Sequence, residues 1–131
     1  MNVFQICILS AALAFCSFAG CGGSGRDLPD RIMVSGSVTF DSQPVKKGSI
    51  RFGSTEDINS GLIASADIKE GRYEIQVTPG KKNVMINSVD EIGSGIDTDF
   101  VELIPEKYNN NTELEATVGD ESAEFDFALS E

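Results

Sequence analysis

The chain has 131 residues, 40% of them hydrophobic, with 10 Lys and Arg against 21 Asp and Glu and a formal net charge of −11. That is length enough for one domain with a real core. It is too apolar for a disordered chain and too acidic for nonspecific binding to nucleic-acid phosphates. There is no histidine, and the three cysteines, Cys7, Cys16 and Cys21, all fall near the N-terminus. A disulfide framework, a zinc site of the usual kind and Ser-His or Cys-His catalysis are therefore excluded from the rest of the chain.

Residues 3–19, VFQICILSAALAFCSFA, form an apolar run that ends in small side chains. This is the shape of a secretory signal, and it is short for a membrane span, which needs about 20 apolar residues. The tetrapeptide Phe18-Ala19-Gly20-Cys21 resembles the lipobox of bacterial lipoproteins. The resemblance implies a signal peptide over residues 1–20 and a lipid on Cys21. It also implies a mature protein tethered to the cell membrane or outer membrane, facing the periplasm or the exterior. Several acyl chains on one cysteine give firm anchoring, because each buried CH₂ contributes about 0.8 kcal/mol. Residues 21–31 carry the Gly-, Ser- and Pro-rich composition of a flexible linker.

From residue 32 the chain alternates. Ile32, Val34, Gly36, Val38 and Phe40 share one face of a predicted strand, and Gly36 on that face marks a close neighbour or a bulge. Asp41-Ser42-Gln43-Pro44 is turn chemistry, with Val45 tucked beneath it. Ile50 and Phe52 point inward from a second strand, and residues 53–60 read as a polar loop. Residues 62–68 and 72–78 alternate on either side of Lys69-Glu70-Gly71, which predicts a hairpin with Tyr73, Ile75 and Val77 inward. Further strands are expected over 83–89, 113–118 and 124–129, with an acidic, Gly-containing loop over 90–99 and a short apolar stretch over 100–104 that Pro105 ends. Seven short strands without an amphipathic helix predict an all-β domain over residues 32–131, a seven-stranded antiparallel Greek-key β-sandwich.

Three blocks in this body carry a family resemblance. Gly36, Val38, Thr39, Asp41, Pro44, Val45, Gly48, Ile50 and Phe52 form the first. Asp67, Gly71, Tyr73, Ile75 and Pro79-Gly80 form the second. Ile104-Pro105, Lys107-Tyr108-Asn109 and Phe125-Asp126-Phe127 form the third. In this order they resemble the carboxypeptidase regulatory-like, transthyretin-like domains of short bacterial lipoproteins. The resemblance implies a prealbumin-like sandwich and an accessory or adhesion-type role rather than an activity. The segment 90–99 stands out as an insert, and inserted loops are where binding functions concentrate.

Residue chemistry points away from catalysis. Glu113 with Glu115, and Glu124 with Asp126, sit at strand spacing on outward faces, where carboxylates are usually solvated. Asp90, Glu91, Asp97 and Asp99 lie in one loop and could offer calcium the clustered oxygens that hard cations need. Tyr108 and Asn109 are the best-placed candidates for stacking and hydrogen bonding to a carbohydrate. The expectation is a lipid-anchored envelope protein presenting a structural or protein-interaction module without an enzyme's machinery. The alternative is a carbohydrate- or calcium-binding module centred on the 90–99 segment.

Overall fold

The structure, a computed structural model, describes residues 29–131. The expected signal peptide, Cys21 and most of the linker lie outside the described residues. In chain order the elements are β1 (Ile32–Phe40), β2 (Gln43–Pro44), β3 (Lys47–Gly53), α1 (Thr55–Ser60), β4 (Ala64–Lys69), β5 (Arg72–Val77), β6 (Gly80–Asn87), β7 (Val89–Ile92), β8 (Asp99–Glu102), β9 (Glu115–Val118), β10 (Ala123–Glu124) and β11 (Phe127–Leu129). Short 3₁₀ turns occupy Gly95–Asp97 and Glu106–Tyr108. The fold is all-β and mostly antiparallel.

Period-two alternation places the core. Val34 and Val38 of β1, Ile50 and Phe52 of β3, Tyr73, Ile75 and Val77 of β5, Val84 and Ile86 of β6, and Ala116 and Val118 of β9 are all buried, in one cluster with Ile68, Ile104 and Leu129. The main sheet runs β10–β1–β5–β4–β3–β6–β9, with β2 and β11 also on β1. The β4–β5 turn uses Glu70 and Gly71, both at positive φ (51° and 75°), the geometry of a two-residue hairpin turn. Pairing between these strands is confined to Lys69↔Arg72. Beyond it β5 pairs with β1 and β4 with β3, and the sheet curls so that both halves line the same core. The rings of Phe52, Tyr73 and Phe127 meet there with centroids 6.0–6.3 Å apart.

Four features depart from the expected pattern. First, the described residues form eleven strands, not seven, in a curled sheet plus a separate β7–β8 hairpin. Second, the C-terminal segment is not antiparallel. β10 and β11 both run parallel to β1, with Val34↔Ala123 and Val38↔Phe127 in register. This segment is also broken at Phe125-Asp126. There the Asp126 carboxylate, instead of a backbone carbonyl, accepts the Ser37 N–H and Oγ–H at 2.8 Å each. The Phe125 carbonyl turns inward to accept from the Tyr73 hydroxyl at 2.7 Å. Gly36 permits this approach, since a Cβ on it would stand 1.8 Å from the Phe125 oxygen.

Third, the predicted loop 53–60 contains the helix α1. Ser54 caps it in a reciprocal box: its Oγ accepts from the Asp57 N–H while Asp57 accepts the Ser54 N–H. The S-x-x-D spacing is a weaker form of the usual capping signature and left this single turn hard to see. Fourth, segment 90–99 is not a loop. Most of it is β7, a 3₁₀ tip and the start of β8, paired from Val89↔Glu102 to Ile92↔Asp99.

Candidate functional site

The β7–β8 hairpin carries most of the exposed large apolar side chains among the described residues. Ile96 at its tip is fully exposed, Phe100 is 68% exposed and Ile92 57%, with Val89, Val101 and Leu103 also in solvent. Large apolar side chains grouped in this way mark interaction surfaces. Each of the four cross-strand pairs joins one apolar residue to one carboxylate: Val89↔Glu102, Asp90↔Val101, Glu91↔Phe100 and Ile92↔Asp99. Neither face of the hairpin is therefore a core face, which is why every residue of both strands stays exposed.

The hairpin is fastened at its base. The Leu103 N–H donates to the Ser88 carbonyl at 2.7 Å. Glu102 accepts the N–H groups of Ser88 (2.8 Å) and Ile104 (3.2 Å) through one oxygen. The Ser88 hydroxyl donates to the Lys47 carbonyl at 2.6 Å, which ties the base to β3. Between the hairpin and the body lie two grooves. One, of about 570 Å³, runs between Phe40, Pro44 and Val45 on one wall and Val89, Leu103 and Ile104 on the other. The second, of about 370 Å³, lies between Ile68 and Phe100.

The residues expected to bind metal are spread along this hairpin: Asp90 on β7, Asp97 in the 3₁₀ tip, Asp99 on β8. Among the described residues, no group of three or more acidic or cysteine side chains is placed to hold a metal ion.

The expected carbohydrate residues separate. Asn109 is buried, with its amide donating to the Ile104 carbonyl at 3.1 Å and its oxygen accepting the Asn110 N–H. Its side chain holds the turn after β8 together. Tyr108 is half-buried against the core. Its ring lies under the Lys107 ammonium, 5.0 Å from the centroid, and its hydroxyl accepts the Ser130 N–H at 3.2 Å. That hydrogen bond lowers the phenol below its ordinary pKa, with Lys107 adding to the effect. The tyrosine clasps the C-terminal end of the chain.

One polar cluster was missed by sequence reasoning. Asp57 and Lys82 form a buried ion pair at 2.5 Å, with relative exposures of 5% and 4%. Thr78 completes it, donating to Asp57 Oδ1 at 2.9 Å and accepting from Lys82 Nζ at 2.8 Å. Burial pushes the Asp57 carboxyl upward, but the hydrogen bonds from Lys82, Ser54 and Thr78 outweigh it and bring the pKa down to about 2. The signal was present in the sequence, because Lys82 shares the inward parity of Val84 and Ile86. All its buried side-chain polar atoms are satisfied among themselves, so the cluster pins α1 to the sheet.

Tyr73 is a further inward group with a polar atom. Burial, then Asp126 and Glu124, raise its phenol well above the ordinary value, so it remains a neutral donor to Phe125. Among the described residues no helix is long and apolar enough to cross a membrane. Comparison with family models, curated proteins and solved structures finds no match to this chain.

Proposed function

We propose that the protein is a lipid-anchored cell-envelope protein whose β body serves as a protein-interaction module. The observation that carries the interaction half is the β7–β8 hairpin, a fastened element that exposes Ile92, Ile96 and Phe100 together. A monomer gains nothing from keeping these side chains in water. The anchor half is supported by the apolar run 3–19 followed directly by Gly20-Cys21. The curled sheet, whose two halves share one core, is compatible with a seven-stranded Greek-key sandwich of the transthyretin-like kind with short strands added. The motif blocks from Gly36 to Phe127 are the support for that finer reading.

Two measurements test the proposal. Mass spectrometry of the mature N-terminus is expected to find Cys21 as the first residue, carrying fatty acyl chains, and an unmodified Cys21 overturns the anchor. Cross-linking in native membranes followed by purification is expected to recover a partner covalently joined to the domain. A domain that returns alone from every cross-linker overturns the interaction role.

A further inference from the structure

The hairpin also constrains what the partner is made of. Among the described residues β7 pairs only with β8 and β8 only with β7, which leaves an unpaired outer edge on each strand. An isolated two-stranded ribbon is marginal in water, and a third strand adds backbone hydrogen bonds and side-chain cover. Segment 88–106 contains Asp90, Glu91, Asp97, Asp99, Glu102 and Glu106 and no Lys or Arg. The ion pairs of the described residues, Lys81–Glu115 and Lys82–Asp57, both lie elsewhere. Lysines 46, 47 and 69 line the grooves at the hairpin base, but from the wall of the body.

The order of residues along β8 is acid, apolar, apolar, acid: Asp99, Phe100, Val101, Glu102. β7 reads apolar, acid, acid, apolar, so each β8 carboxylate and each β8 apolar residue lacks a partner of matching kind on β7. A strand laid on the free edge of β8 meets the same alternation. It matches charge and apolar surface at every position if it reads cation, apolar, apolar, cation.

We infer that the free edge of β8 binds an extended, Lys- or Arg-containing polypeptide segment of that pattern by strand addition. The inference rests on the interaction role proposed above and names its surface and its partner chemistry. A second copy of the chain fits poorly, because two bodies of net charge −11 repel. An anionic bilayer fits poorly for the same reason. The hairpin also lies away from the first residues of β1. Its base faces Phe40, the last residue of β1, whereas the linker enters at Ile32, the first.

The test uses a blocked synthetic peptide, Thr-Lys-Val-Val-Lys-Thr, and a copy with proline at the first valine, which cannot pair as a strand. Binding to residues 21–131 is followed by fluorescence anisotropy and by backbone amide shifts. The valine peptide is expected to shift the amides of Asp99 to Glu102 and to lose at least tenfold in affinity with Phe100→Ser or Asp99→Asn. The proline peptide is expected to bind at least tenfold more weakly. Glu121→Gln, which removes the same charge elsewhere, should change affinity less than twofold. Equal binding of both peptides, or equal losses for Asp99→Asn and Glu121→Gln, overturns strand addition in favour of nonspecific charge attraction. A concentration-dependent dimer abolished by Phe100→Ser also overturns it, as does Phe100-dependent sedimentation with phosphatidylglycerol vesicles. A partner cross-linked from native membranes through a surface other than the hairpin overturns this inference while leaving the interaction role standing.

Discussion

Lys82 and Asp57 form a side-chain arrangement that is costly to disturb. Removing one member of a buried ion pair leaves an uncompensated charge and typically costs about 3–5 kcal/mol. Lys82→Met is expected to destabilise by that amount in urea unfolding, and Asp57→Asn with Lys82→Met together is expected to recover part of the loss. The same pair sets an acid limit. Asp57 is ordinarily near 3.8 and is held near 2 in the fold. A depressed carboxylate contributes stability above its unfolded pKa and loses it as pH falls toward its folded one. Stability is therefore expected to drop by roughly 2 kcal/mol between about pH 4 and pH 2 from this group. A Lys82→Met chain, lacking the counter-charge, is expected to show a smaller drop over that window in acid titrations followed by circular dichroism. Gly36 is sensitive for a steric reason. Gly36→Ala places a methyl carbon inside the radius of the Phe125 oxygen, and overpacking against backbone costs about 1–3 kcal/mol or more. Gly36 was legible as a tight position because glycine on an inward face needs a reason. Asp126 was legible only as an outward carboxylate, because its hydrogen bonds to Ser37 depend on a strand 89 residues away.

Among the elements, β11 and the β7–β8 hairpin have opposite expected sensitivities. β11 places Leu129 in the core and pairs with Val38, Thr39 and Phe40. The Asp41 N–H donates to the Leu129 carbonyl as well, at 2.9 Å. A chain ending at Asp126 is expected to lose its cooperative thermal transition. The hairpin lends no residue of either strand to the core. Replacing residues 90–101 by a two-residue Asn-Gly turn is expected to shift Tm by less than about 5 °C, roughly the effect of 1 kcal/mol in a domain of this size. Alternation made β1, β3, β5, β6 and β9 readable because each has one buried and one wet face. It failed at β7 and β8, where both faces are wet and acid alternates with apolar across the strands rather than along them. The direction of β10 and β11 was unreadable for a different reason. Alternation fixes which side chains point inward, and it is blind to whether a strand runs up or down beside its neighbour.

Taken whole, the domain has a single core and relies on side-chain packing alone, with no disulfide among residues 22–131. Phe52 is 1% exposed and bridges Tyr73 and Phe127 from across the curl. Phe52→Ala is expected to cost about 3–5 kcal/mol, a large share of what a domain of this size possesses. The all-β class and the core could be read from the sequence because burial writes itself into residue spacing. The partner could not, since an exposed surface leaves only composition behind. The parallel placement of β11 against β1 carries a temporal implication. Synthesis delivers the first strand well before its parallel neighbour, so a nascent chain holds β1 with one flank bare until β11 emerges. Closure between strands so distant in the chain comes late in folding, because the entropy of closing the intervening loop has to be met before their contacts reward it.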